Sequence, residues 1–184
     1  MFYFLGFVVL LLIYGVLIYN KLVSLKNKVE EAWSGIDVQL KRRYDLIPNL
    51  VSTVKGYASH ESSTLEKVIE ARNQAIAASS SGNINQQVEA DNALTGTLKS
   101  LFALSENYPE LKANTNFLQL QSTLENLEET LQNARRYYNA LVRDNNTAIE
   151  AFPSNIVASQ FQFSKFSFFE IQNAAERETP VVQF

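Results

Sequence analysis

The apolar positions divide the chain into two regimes. Residues 1–19 carry no charged side chain at all. As one helix this stretch would measure about 28 Å, close to the roughly 30 Å hydrocarbon thickness of a bilayer. Aromatic residues sit at both ends, Phe2, Tyr3 and Phe4 at one and Tyr14 and Tyr19 toward the other, as rings at a membrane interface prefer. The alternative is a signal peptide, but there is no basic leading region and no small-x-small cleavage site.

From Leu22 the pattern becomes amphipathic without a break. Leu22, Leu25, Val29, Ala32, Ile36, Leu40, Arg43, Ile47, Leu50 and Val54 follow in steps of three and four, the helical period. One helix is therefore expected to leave the membrane and run on to about Tyr57, with Trp33 widening its apolar stripe. Pro48 lacks a backbone donor and should bend this helix near Tyr44. Alternatively it opens a new helix after Asp45. Gly56 and Ser59-His60-Glu61-Ser62-Ser63 read as a break, and Ser63 with Glu66 fits a capping box. The competing reading carries the first helix unbroken to residue 78.

Three further helices are expected: 63–79, 85–107 and 110–152, separated by the Ser79–Asn83 loop and by Asn107-Tyr108-Pro109. The last has the cleanest seam. Phe117, Leu120, Leu124, Leu127, Leu131, Ala134, Tyr138, Leu141, Asn145, Ala148 and Phe152 recur every 3.5 residues on average, the coiled-coil period. Length decides between topologies. The first helix outside the membrane and the last helix would measure about 57 and 65 Å, against about 25 and 35 Å for the middle pair. The expected fold is all-α: an N-terminal transmembrane helix continuous with an up-down antiparallel four-helix bundle. In domain terms this is a transmembrane helix (1–19), a helical bundle (20–153) and a Phe-rich tail (154–184). Near the membrane only the two long helices could cover each other, so neighbouring copies are expected to bury the rest, as a homo-oligomer.

The tail places Phe161, Phe163, Phe166, Phe168 and Phe169 within nine residues. Such a cluster suits an interfacial membrane contact or an inter-subunit plug. It equally suits a short helix folded back on the bundle. The final Thr179–Phe184 stretch is short, extended and apolar, able to add to a neighbour.

Composition and charge mainly exclude. The net charge of −3 argues against nucleic acid as the main partner. With no cysteine and one histidine, His60, thiolate chemistry, disulfides and most metal sites are out of reach. No nucleophile elbow, phosphate-cradling glycine loop or HExxH pattern occurs. No catalytic, metal or cofactor residues are therefore assigned, and no enzymatic activity is expected. Glu128 and Glu129 flank the last seam and read as a solvated face. Lys21, Lys26, Lys28, Lys41, Arg42 and Arg43 all follow the apolar segment. The positive-inside rule then places the amino terminus outside and the body in the cytoplasm.

One residue defies its pattern. Arg43 lies on the apolar stripe, seven residues after Ile36 and seven before Leu50, where a guanidinium must snorkel or find an acceptor. It reads as a polar layer fixing helix register or as a partner site, with Asn145 and Glu106 at comparable positions of other helices. Trp33, Arg43, Asn145 and the five tail phenylalanines are the candidate oligomer or partner contacts, and Pro48 the candidate bend.

These residues also carry a resemblance. Tyr19–Val23, Ala32-Trp33-Ser34, Ile36–Arg43, Asp45–Val51, Val54–Ala58, His60-Glu61, Ala71-Arg72, Glu106–Ala113, Ala134–Asn139, Phe152-Pro153, Pro180 and Phe184 resemble the LemA family of bacterial membrane proteins. The likeness spans the whole chain. One departure is Gln160-Phe161, where the family pattern has Gly-Phe. The resemblance implies one amino-terminal membrane helix, a short outer terminus, an α-helical cytoplasmic domain of antiparallel bundle type, and no established enzyme activity or cofactor. The resulting expectation is a scaffolding protein of the bacterial inner membrane. It would be single-pass and self-assembling on the cytoplasmic face, shaping membrane or gathering partners, with the lipid bilayer, further copies and other membrane proteins as partners. The alternative is an adaptor or regulator of a membrane enzyme such as a protease.

Overall fold

The structure is a computed structural model and describes residues 1–169. Thr179–Phe184, expected to be extended, lies outside the described residues, as does half of the 154–184 tail. Everything regular within them is helical: α1 (Phe2–Lys55), α2 (Ser62–Ser80), α3 (Ile84–Ser105), α4 (Pro109–Lys112), α5 (Thr115–Glu150) and α6 (Ser154–Gln160). The pattern of apolar positions anticipates four helices, so two boundaries need a physical account.

The first concerns the long return helix. It begins at Pro109, in the first-turn position that a proline tolerates. It then stops after one turn and restarts at Thr115. Asn114 makes that interruption: its Oδ1 accepts from the Phe117 N–H at 3.0 Å, and its Nδ2 donates to the Tyr57 hydroxyl at 2.8 Å. A side chain that satisfies an orphan amide of a new helix start competes with continuing the old helix. The apolar seam, read alone, carries no trace of this break. The second is α6, which follows Pro153 and is too short to show a period.

The break after α1 falls at Gly56–Glu61, so the reading with one helix to residue 78 does not hold. The capping box does not form either. Helix α2 starts at Ser62, and its cap residue Glu61 makes no side-chain capping bond; its carboxylate accepts instead from the Tyr108 hydroxyl at 3.1 Å. With α2 starting at Ser62, Ser63 falls inside its first turn and cannot act as the cap.

The chain forms two compact units. The first holds residues 1–39 with 129–168. Within it the lower part of α1 and the C-terminal part of α5 run antiparallel, burying Leu22, Val29 and Ile36 against Leu131, Tyr138 and Val142. Val142, not the expected Leu141, is the fully buried residue there. The second holds Leu40–Glu128 with Phe169. Its core is aliphatic: Leu40, Ile47, Leu50, Val54, Leu65, Val68, Leu94, Leu101, Leu111 and Leu124, closed by Phe117. Each such side chain contributes about 1.5–3 kcal/mol by leaving water.

The start of α1 is different. It is long and apolar enough to cross a membrane, and no residue of that apolar window is buried by the chain. Phe2, Phe4, Leu10, Leu12 and Leu17 are all exposed. A stripe that is apolar all round and uncovered by protein matches a lipid surroundings. This single N-terminal apolar helix fits a membrane-anchored protein.

Candidate functional site

Two polar arrangements stand out against these apolar interiors, one in each unit. In the second unit, Arg43 is the largest fully buried side chain, 1% exposed. Its Nη1 donates to Asp91 Oδ1 at 2.8 Å, and its Nη2 to Thr95 Oγ1 at 2.9 Å. Glu128 Oε1 lies 2.8 Å from Nη2 as an ion pair, off the line of a proper N–H bond. The Thr95 hydroxyl donates in turn to the Asp91 carbonyl at 2.9 Å. Asp91 and Thr95 are one helical turn apart on α3, hence on one face. The two carboxylates outnumber the guanidinium, and the excess falls on Glu128, whose side chain is 38% exposed. Among the described residues, Arg43 Nε has no hydrogen-bond partner.

The sequence reading found Arg43 but not its partners. Glu106, considered as its companion, pairs with Lys112 on the surface. Glu128, taken as solvated face, reaches the guanidinium. Asp91 was legible: it continues the apolar stripe of Val88, Leu94, Leu98 and Leu101 as a carboxylate, the same anomaly as Arg43 on α1.

Pro48 shows a second compensation. It lies inside α1, which continues through it to Lys55, so no new helix begins there. A proline has no N–H for the carbonyl four residues back, here that of Tyr44. Arg72 Nε of α2 donates to that carbonyl at 2.7 Å. A side chain from the neighbouring helix thus replaces the missing backbone donor, as a buried carbonyl requires.

In the first unit the tail folds back as a strap. After α6 the chain continues from Phe163 to Phe168 without helix or strand. Asn146 of α5 holds it with both ends of its amide: Nδ2 donates to the Phe166 carbonyl at 2.9 Å, and Oδ1 accepts from the Phe166 N–H at 3.0 Å. The Tyr138 hydroxyl donates to the Ser167 carbonyl at 2.9 Å, and Lys165 pairs with Glu150. Burial pushes the Tyr138 phenol up to about 12. Asn146 was not singled out from sequence, because an asparagine beside a seam looks like any polar flank.

The tail phenylalanines separate into three kinds. Phe161 and Phe168 stay exposed, Phe163 and Phe166 are half-buried, and Phe169 is buried. The Phe161 and Phe163 rings lie 4.8 and 5.8 Å from that of Tyr19. Trp33 is half-buried, its ring 5.4 Å from Tyr138. Asn145 is fully buried, and its Oδ1 has no hydrogen-bond partner among the described residues. So Phe161 and Phe163 meet α1 at Tyr19 and Trp33 meets α5 at Tyr138 within this unit, while Arg43 and Phe169 belong to the other unit. Among the described residues no cluster of three or more His, Asp or Glu forms that could hold a metal ion, and His60 is exposed in the α1–α2 turn.

Comparison with known proteins agrees with this plan. The chain is 22% identical over 187 residues to the magnetosome protein MamQ of Magnetospirillum gryphiswaldense, spanning 89% of this chain and 68% of that protein. It is 26% identical over 155 residues to the protein LemA of Metamycoplasma hominis, spanning 82% and 68%. A MamQ of Paramagnetospirillum magneticum is similar at 23% identity. Neither name denotes an enzyme. The LemA family model matches residues 32–184, from just after the start of the amphipathic part of α1 to the end of the chain, and the chain therefore belongs to the LemA family.

Proposed function

We propose that this protein is a membrane-anchored scaffold. It crosses the bilayer once through residues 1–19, with its amino terminus outside. It assembles with further copies on the cytoplasmic face of a bacterial inner membrane, where it shapes membrane or gathers partners. The observation that carries this reading is α1 itself. One uninterrupted helix joins an uncovered apolar segment to the helical body, from Phe2 to Lys55. Whatever the body binds is held at a fixed distance from the bilayer, as a spacer or scaffold requires. The long helices would then act as a coiled-coil-like antiparallel bundle.

Self-assembly is supported by apolar residues that the chain leaves in water. Outside the apolar segment these include Val38, Tyr137, Phe152, Ile156 and Phe161, each more than half exposed. The strap supplies a third layer over α1 and α5, so the need for neighbouring copies is confined to such residues. The relatives named for the magnetosome support organisation of a structure over turnover of a substrate. The second reading, an adaptor or regulator of a membrane enzyme such as a protease, uses the same anchor with one or two copies.

Particle size in mild detergent separates the two. Large uniform assemblies are expected, and a monomer under native mass spectrometry would overturn scaffolding by self-association. Orientation has its own test. The chain lacks cysteine, so single cysteines at exposed positions such as Ser52 and Glu129 can be labelled cleanly. Both should be shielded from an impermeant reagent in intact cells.

A further inference from the structure

The strap encloses a cavity of about 350 Å³ in the first unit, between Tyr19, Lys26 and Asn27 of α1, Asn145 of α5, and Phe161 and Phe163 of the tail. We infer that this cavity binds the headgroup of a membrane phospholipid, a phosphodiester bearing a terminal hydroxyl donor such as phosphatidylglycerol. The inference rests on the reading that residues 1–19 span the bilayer.

Position comes first. Tyr19 closes the apolar segment, and Lys26 lies about 10 Å further along the helix at 1.5 Å per residue. The polar layer on each side of a bilayer is about 5–7 Å thick. Side chains on a helix can lean toward its N-terminus, here toward the membrane, so a headgroup in that layer is within reach of a Lys26 ammonium that leaves its loose contact with Glu30.

Chemistry comes second. Lys26 has only a loose partner, Glu30 at 3.8 Å with both side chains about half exposed, so its ammonium is available to a phosphate. Asn145 is 0% exposed and its Oδ1 is unpartnered. A buried amide oxygen without a donor costs about 1–3 kcal/mol. Its Nδ2 donates to Asn146 Oδ1 at 3.4 Å, so only the amide oxygen is left over. A ligand hydroxyl is the group that would satisfy it. Tyr19, Phe161 and Phe163 supply apolar walls on the side continuous with the uncovered segment, where acyl chains would leave. A neutral donor suits a neutral amide, and one negative phosphate suits one lysine.

The test uses the full chain, delipidated in detergent and titrated with phosphatidylglycerol or phosphatidylcholine under native mass spectrometry. Phosphatidylcholine carries the phosphate but no donor. Phosphatidylglycerol should bind about tenfold more tightly, the value of roughly one hydrogen bond. Asn145→Leu should abolish that preference and Lys26→Gln should weaken both lipids, while Asn145→Gln restores part of the preference. Lys28→Gln, away from the cavity, should leave the preference intact. Inorganic phosphate alone should not displace the lipid. Equal binding of the two lipids, unchanged preference in a helical Asn145→Leu chain, or displacement by phosphate would overturn the inference. Failure of the anchor reading looks different: the chain would be released from vesicles by alkaline carbonate, whatever its lipid preference.

Discussion

The two units solve burial in opposite ways. The second closes an aliphatic core on itself and hides a charge inside it, with Arg43 answered by Asp91, Thr95 and Glu128. The first buries a narrow seam, relies on an irregular strap for its third side, and leaves a buried amide oxygen of Asn145 unanswered. Its aromatic residues are mostly at the edge: Trp33, Phe163 and Phe166 are half-buried and Phe161 exposed. A region closed by its own helices depends chiefly on itself, even though Arg43 Nε inside it has no hydrogen-bond partner among the described residues. An interior finished by a tail and an unpaired amide marks one that depends on something added, which is why the lipid proposal falls in the first unit.

The strongest way to test that contrast is to break the buried charge. Asp91→Ala leaves the buried Arg43 guanidinium with only Thr95 and the part-exposed Glu128, and removing the fully buried partner of such a pair costs about 3–5 kcal/mol. The full chain in detergent should lose most of its cooperative melt by circular dichroism. The double change Arg43→Met with Asp91→Leu removes both charges and should recover most of the loss. If the double variant melts as low as Asp91→Ala, the pair is not a self-contained device and Glu128 carries more of the answer.

The next test strips the strap. Asn146→Ala leaves the Phe166 N–H and carbonyl without their partner, a cost of about 1–3 kcal/mol. The expected readout is local: faster hydrogen exchange over residues 161–168, with exchange in α2 and α3 unchanged. A uniform acceleration across both units would show that the strap supports more than its own region.

What sequence revealed follows from what repeats. The apolar segment, the amphipathic continuation to Val54 and the seam from Phe117 to Asn145 were legible, because burial at helical period leaves a periodic trace. The anomaly of Arg43 was legible for the same reason, as a charge where the period demands an apolar residue. Its partner Asp91 carries the same signal, a carboxylate on the apolar stripe of α3. The break at Asn114 and the clamp of Asn146 were not legible. Each depends on one amide reaching a backbone group or a tyrosine hydroxyl distant in sequence, and single asparagines on polar flanks leave no pattern. The false capping box at Ser63 and Glu66 shows the converse: a local motif fits the pattern, yet α2 starts one residue earlier with Glu61 at the cap position.

A smaller effect probes the proline of α1. Arg72→Ala leaves the Tyr44 carbonyl without the donor that Pro48 cannot supply, a loss of about 1 kcal/mol. With Pro48→Ala already in place, the backbone N–H at position 48 can take that role, and the same Arg72→Ala change should cost only tenths of a kcal/mol beyond lost surface contacts. A thermal melt of the four proteins in this cycle reads the coupling directly. Equal costs in both backgrounds would mean that Arg72 acts elsewhere.

The smallest effect isolates one hydroxyl in the first unit. Tyr138→Phe removes the bond to the Ser167 carbonyl at 2.9 Å and should cost about 1 kcal/mol near neutral pH. Its pH dependence is more telling. Tyrosine in an unfolded chain ionises near pH 10, whereas burial raises Tyr138 to about 12. The folded protein therefore holds this proton where the unfolded chain has lost it. That contribution is complete below about pH 10 and is lost as pH rises through 12. Residues 161–168 should loosen over that window in the unsubstituted chain, as followed by hydrogen exchange or protease accessibility. In Tyr138→Phe the window should flatten, because a phenylalanine ring has nothing to ionise and the strap then rests on Asn146 and the Lys165–Glu150 pair. An alkaline loosening of equal size in both proteins would remove Tyr138 from the forces that hold the strap.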